Sequence, residues 1–337
     1  MNMFEWLDKV KSSTKKKPFP VLSYPAIQMM GITVKELISS AEYQARGMQL
    51  VADAVDSLAS VSLMDLSVEA ECFGSTVKVT DGEVPTVVGA IVTTPEEAEN
   101  LKVPSVQSCR AGIYIDAIGK AKALISDRPV FAGVIGPFSL AGRLVDVTEA
   151  MILCFEDPDM LKTVLEKCTE FLINYIKAYK EQGADGVVIA EPLAGMLSPD
   201  LAAEFSHPFV KRIVDECQDE KFLIVYHNCG NGAVRMLDGI LSTGCKVLHF
   251  GNAVDMRDVM KNVPSDVVAM GNVDPAGVFL AGTEEQVKAE TLALLNDLGD
   301  YPNFVLSSGC DIPPLTPWQN IRAFFKAAKE YNDKKGQ

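Results

Sequence analysis

Nowhere in this 337-residue sequence do about 18 uncharged apolar residues run together, so no membrane-spanning helix is expected. The opening "MNMFEWLDKVKSSTKKK" carries charges where a secretory signal needs an unbroken apolar core, so no signal peptide is expected either. Cysteine, at eight residues, is too dilute for the disulfide framework of a secreted domain. Reduced thiols and a cytoplasmic location are the corresponding expectations. Positive charge is also scarce: 31 Lys and Arg stand against 45 Asp and Glu, a net charge of −14. That balance argues against a surface built to coat nucleic acid. Lysines cluster at Lys9, Lys11 and Lys15 to Lys17, which reads as a solvated N-terminal arm over residues 1–20.

What the chain does have is alternation. After the extended, Pro-rich "KKPFPVLSYPA", residues 33–55 follow a helical pattern, and "SLASVSLMDLSVEAECFG" reads as a strand followed by a loop. "TVKVTDGEVPTVVGAIV" reads as a short hairpin turning at Asp81-Gly82. From residue 110 onward, strand-like runs such as "PVFAGVIGPF", "ADGVVIAEP", "KFLIVYHNCG", "CKVLHFGNA", "DVVAMGNVDP" and "NFVLSSGCDIPP" alternate with amphipathic helices. Strands that are apolar throughout and joined through helices imply a parallel sheet covered on both faces. Polar residues then choose between an open sheet and a closed one. Glu191, His227, Cys229, Asn252, Asn272, Asp274, Cys310 and Asp311 sit at or just past the C-terminal ends of successive strands. An open sheet concentrates its chemistry at one switch point, whereas a barrel spreads it around one rim. The expected fold is therefore α/β, a single (β/α)₈ barrel over residues 21–337 with an N-terminal extension.

Three histidines serve the whole chain, and one of them lies in "VYHNCGNG". His227 and Cys229 flank Asn228, so in an extended strand both side chains leave on the same side. Cys310 ends the last strand, and a closed barrel brings the two rims to one mouth. One imidazole and two thiolates form a borderline-soft donor set suited to zinc. Glu191 or a water could complete the set, and an exchangeable fourth position is what a catalytic zinc needs. Cys154, Cys168, Cys217 and Cys245 read as inert small hydrophobes. His249 is a candidate for the cavity wall. Asn252, Asn272 and Asp274 either line that cavity or form the tight turns and caps of βα loops. Gly136 to Ser139 places a helix N-terminus where an anionic group such as a sulfonate could dock.

The segments "FPVLSYPA", "MDLSVEAECFG", "GPFSLAGRL", "GADGVVIAEP", "HNCGN", "GNVDP" and "SSGCDIPPLTP" together resemble the uroporphyrinogen decarboxylase superfamily along nearly the whole chain. The likeness is nearer to its zinc-dependent branch, which passes methyl groups between a methylated corrinoid and a thiol such as coenzyme M. That resemblance implies a TIM-like barrel, zinc on His227, Cys229 and Cys310, and an acidic partner at Glu191. It also implies a corrinoid (methylcobalamin) brought by a partner protein, since no "DxHxxG" segment is present here. The decarboxylase branch opens with an arginine-rich stretch that holds substrate carboxylates, and "PFPVLSYPAIQMMG" contains no arginine. Asp65 does match that branch's acidic residue. Two alternatives therefore stay open: a corrinoid-linked enzyme demethylating a small methylated donor, and a tetrapyrrole decarboxylase.

Overall fold

The computed structural model describes residues 1–335. Seven parallel strands form one sheet in the order β1 (Ser60–Val61), β4 (Val130–Ile135), β5 (Gly186–Ala190), β6 (Leu223–Asn228), β7 (Val247–Phe250), β8 (Val268–Val273) and β9 (Phe304–Ser308). A separate antiparallel hairpin, β2 (Thr76–Lys78) and β3 (Thr86–Val88), follows β1 as the Asp-Gly turn signal suggested.

The eighth position of the barrel is filled by the Pro-rich entry. Phe19 N donates to Leu306 O at 2.9 Å on one side, while Leu58 N donates to Pro18 O at 2.8 Å on the other. Val21 continues the seam, donating to Ser308 Oγ and accepting from Ile312 N. Pro18 and Pro20 have no N–H to give, so the segment closes the ring between β9 and β1 without forming a full ladder.

Strand alternation sorts the residues into two sets. Val188 and Ala190 of β5, Leu223 and Val225 of β6, Val247 of β7, Val268 and Met270 of β8 and Val305 of β9 pack together inside the ring. Their neighbours Val187, Ile189, Ile224, Tyr226, Leu248, Ala269, Phe304 and Leu306 face the surrounding helices. Both sets are buried, which is why the strands read as continuous apolar runs.

The N-terminal residues are not a solvated arm. Met3–Ser12 is a helix capped by Asn2, and its apolar stripe enters the floor of the barrel. Met3 and Leu7 are buried against Phe19, Phe131 and the interior valines, while Lys16 reaches inward to the carbonyls of Tyr301 and Phe304. Leu7→Ala is expected to cost about 2–4 kcal/mol, because the rigid strand ends beneath it cannot collapse into the gap. Urea unfolding would check this; an unchanged midpoint would mean that the helix is only laid against the barrel.

Two other expectations are refined. The helical pattern over 33–55 is two helices, Val34–Ile38 and Ala41–Ala54, because Ser40 breaks the first and caps the second by accepting from Tyr43 N. The stretch read as a loop after β1 contains a helix, Val68–Phe73, that ends on Gly74 in the left-handed region at φ 106°.

Candidate functional site

Alternation along β6 carries Val225, His227 and then Cys229 toward the barrel axis at the C-terminal mouth. There His227, Cys229, Cys310 and Asp311 line one cavity of about 70 Å³, with Val21, Met64, Leu66, Val188, Ala190 and Pro192 as its apolar wall. A larger cavity, of about 470 Å³, opens at the opposite end of the strands among Lys15, Lys17, Arg322 and Lys326, and carries no such donor set.

Two glycines let the rims converge. A Cβ on Gly251, just past β7, would stand 2.6 Å from Cys229 Cα, and one on Gly309 would stand 2.7 Å from Asn252 N. The ends of β6, β7 and β9 therefore pack backbone to backbone, which sets Cys310 beside Cys229. Its neighbour Cys310, with His227 alongside, holds the Cys229 thiol below its ordinary value, and Cys229 in turn holds the Cys310 thiol above its own. His227 is buried with neither ring nitrogen partnered. Its ring stacks 4.5 Å from that of His249, which occupies the next strand in register. His249 donates from Nε2 to Ser308 O at 2.7 Å, leaving Nδ1 bare, and burial keeps it neutral.

An unsatisfied imidazole, two adjacent thiols and a buried carboxyl are a donor set that matches zinc chemically. Among the described residues, however, no three His, Cys, Asp or Glu side chains stand around one point as a finished coordination shell.

Glu191 belongs elsewhere. It shares strand parity with Val187 and Ile189, so it leaves β5 outward, while Ala190 and Pro192 face the cavity. Its carboxylate accepts from Phe138 N at 2.9 Å, Ser139 N at 3.0 Å and Ser139 Oγ at 2.7 Å. The helix Pro137–Val145 thus spends its N-terminus on the chain's own carboxylate rather than on a docked anion. Ser139 is occupied as well, since its Oγ also accepts from Leu193 N. Burial pushes the Glu191 carboxyl up to about 7 against these three donors.

The other expected residues divide. Asn272 donates to Gly251 O and Val254 O, so it braces the loop after β7 rather than facing the cavity. Asp274 caps the turn that follows β8 by accepting from Ala276 N and Gly277 N. Asn252 is exposed at the rim. Asp65 is buried and fully engaged: Arg110 pairs with it, Tyr114 Oη donates to it at 2.7 Å, and Ser67 donates twice. Met64 and Leu66, not Asp65, line the cavity.

Asp311 is the acidic residue that the structure brings to the mouth. Burial pushes its carboxyl well above the usual carboxylate range, and its Oδ1 has no partner. The signal was its position directly after Cys310. Tyr24, wholly buried with a free hydroxyl, feels both Asp65 and Asp311. Glu69 gave no signal: it lies in the helix mistaken for a loop. Its Oε1 accepts from Ile135 N, Oε2 is unpartnered, and burial raises its carboxyl to about 8. The native protein therefore keeps a proton here that the unfolded chain releases near its ordinary value of 4.5. This contribution to stability is complete below that value and is lost as pH rises through about 8. Glu69→Gln is expected to flatten the fall of the urea midpoint across that window. Identical profiles for the variant and the parent would contradict it.

The family model described as uroporphyrinogen decarboxylase (URO-D) matches residues 21–331. The methylcobamide:CoM methyltransferase MtbA of Methanosarcina acetivorans is 28% identical over 98% of this chain and 99% of its own length. A uroporphyrinogen decarboxylase of Prochlorococcus marinus is also 28% identical, but over 65% of this chain and 63% of its own. Among solved structures, a methyltransferase from Methanosarcina mazei superposes with a TM-score of 0.87 at 25% identity, covering 96% of this chain and 97% of that one.

Proposed function

We propose, from the premise that the chain belongs to the uroporphyrinogen decarboxylase family, that it is a zinc-dependent methyltransferase. It moves a methyl group between a methylated corrinoid, carried by a separate protein, and a small thiol such as coenzyme M. The observation that carries this reading is the meeting of His227, Cys229 and Cys310 on one cavity at the barrel mouth. These three would hold the metal. When bound there, zinc supplies a Lewis acid that keeps a thiol deprotonated at neutral pH, where a free thiol is mostly protonated.

The chain's own residues supply the setting. The apolar wall from Val21 to Pro192 offers a sulfur anion no hydrogen-bond donors on that side, which leaves it less solvated and more reactive. His249 packs against His227, with the ring centroids 4.5 Å apart. Asp311 presents a buried carboxyl beside the two thiols.

The decarboxylase alternative needs cations for a multiply charged substrate. Arg110 is already committed to Asp65 and Glu71, which leaves half-buried Arg143, its Nε unpartnered, as a single cation rather than a cluster. The test is to incubate the purified protein with methylcobalamin and 2-mercaptoethanesulfonate and follow loss of the cobalt-bound methyl spectrally, with thioether formation in parallel. Thiol-dependent demethylation supports the reading. No demethylation with any small thiol, together with release of carbon dioxide from uroporphyrinogen, would replace it with the decarboxylase.

A further inference from the structure

Away from the mouth, two cysteines meet at the base of the long excursion that follows β1. Cys72 lies near the end of the helix Val68–Phe73, and Cys109 lies just ahead of the helix Ala111–Leu124. Cys72 Sγ is 3.5 Å from Ser108 O, and Cys109 Sγ is 3.7 Å from Glu71 O. The contacts are reciprocal, since each thiol touches the residue that precedes the other. Two chain segments crossing in this way bring the two cysteines together, each thiol lying against the backbone next to the other.

The junction is held from both sides. Arg110 pairs with Glu71 at 2.7 Å and with Asp65, which fixes the residue next to Cys109. Cys109 itself sits in the left-handed region at φ 47°, a conformation that a residue with a side chain keeps only where its surroundings enforce it. Cys109 is exposed and Cys72 is half-buried behind it, so one thiol meets solvent and the other waits. Burial pushes the Cys72 thiol up to about 12, and the nearby Cys109 adds to that rise.

We infer that Cys72 and Cys109 form a redox-modification site, closing a reversible disulfide when a small-molecule disulfide is available as oxidant. The thiolate of Cys109 attacks one sulfur of the oxidant RS–SR, forming Cys109–S–S–R and releasing one RS⁻, which takes up the proton that Cys109 lost. The thiolate of Cys72 then attacks Cys109 Sγ, and the second RS⁻ leaves and takes up the Cys72 proton. Two protein thiols are oxidised and one RS–SR is reduced to two RSH. The bond ties together the base of the excursion that carries β2, β3 and the helix Pro95–Asn100. The hairpin turn of that excursion reaches the loop after β9, where a Cβ on Gly82 would stand 3.7 Å from Leu315 Cδ1.

The test is to treat the folded protein with oxidised glutathione, block free thiols with iodoacetamide, digest with trypsin and map the products by mass. The expected product joins the peptides spanning residues 47–78 and 103–110, at about 2 Da below the sum of their reduced masses. Dithiothreitol should separate them, Cys109→Ser should lack the product, and Cys72→Ser should leave glutathione attached to Cys109. Alkylation of both cysteines while the oxidant is consumed at Cys229 and Cys310 would overturn the inference. So would glutathione remaining on Cys109 in the parent protein.

Discussion

Replacing Cys310 with alanine is expected to lower thiol methylation on the order of 10³-fold, which corresponds to losing several kcal/mol of stabilisation of the reacting sulfur. The side chain stands at the mouth cavity rather than in the packed interior, so the fold should survive its removal. What is lost is one of the three donors that line the mouth. The measurement is the rate of methylcobalamin demethylation at saturating thiol, with far-ultraviolet circular dichroism as the control for folding. A variant within about threefold of the parent, well under 1 kcal/mol, would mean that Cys310 takes no part in the reaction.

Glu191→Ala is expected to cost about 3–5 kcal/mol of stability while leaving metal content unchanged. The carboxylate is wholly buried and satisfies Phe138 N, Ser139 N and Ser139 Oγ at the start of one helix. Alanine leaves these three donors in the interior with no acceptor and opens a gap beside Gly136, whose Cα hydrogens lie against the Glu191 side chain. Chemical unfolding monitored alongside metal analysis separates the two possible roles. A fourth metal ligand would lose zinc on mutation, whereas a helix anchor loses stability.

The barrel could be read from the sequence because five consecutive strands, β5 to β9, end in polar residues on the same rim. The residue pair His227 and Cys229 was equally legible, since positions two apart on a strand must share a face. Glu191 was not. In a parallel strand buried on both sides, Val188 and Ala190 look no different from Val187 and Ile189, so nothing in the sequence marks which set faces inward. The contact of Glu191 with Ser139 joins two strand ends that only the closed fold brings together. The first helix was concealed for a related reason: Met3 and Leu7 make a stripe only two turns long among lysines, and the floor they seal comes from strands far along the chain. Asn272 and Asp274 carried two open readings, and the structure assigns them to bracing and capping. The eighth barrel position reads as an extended entry, and its two prolines hide the pairing that closes the ring.

The most direct test of the mouth as a metal centre is the zinc content of protein purified under anaerobic conditions, measured beside Cys310→Ala. The expected result is about one zinc per chain in the parent and a clear loss in the variant, with both folded. A folded parent without zinc, or a variant that retains it in full, would contradict the proposal that His227, Cys229 and Cys310 hold the metal together.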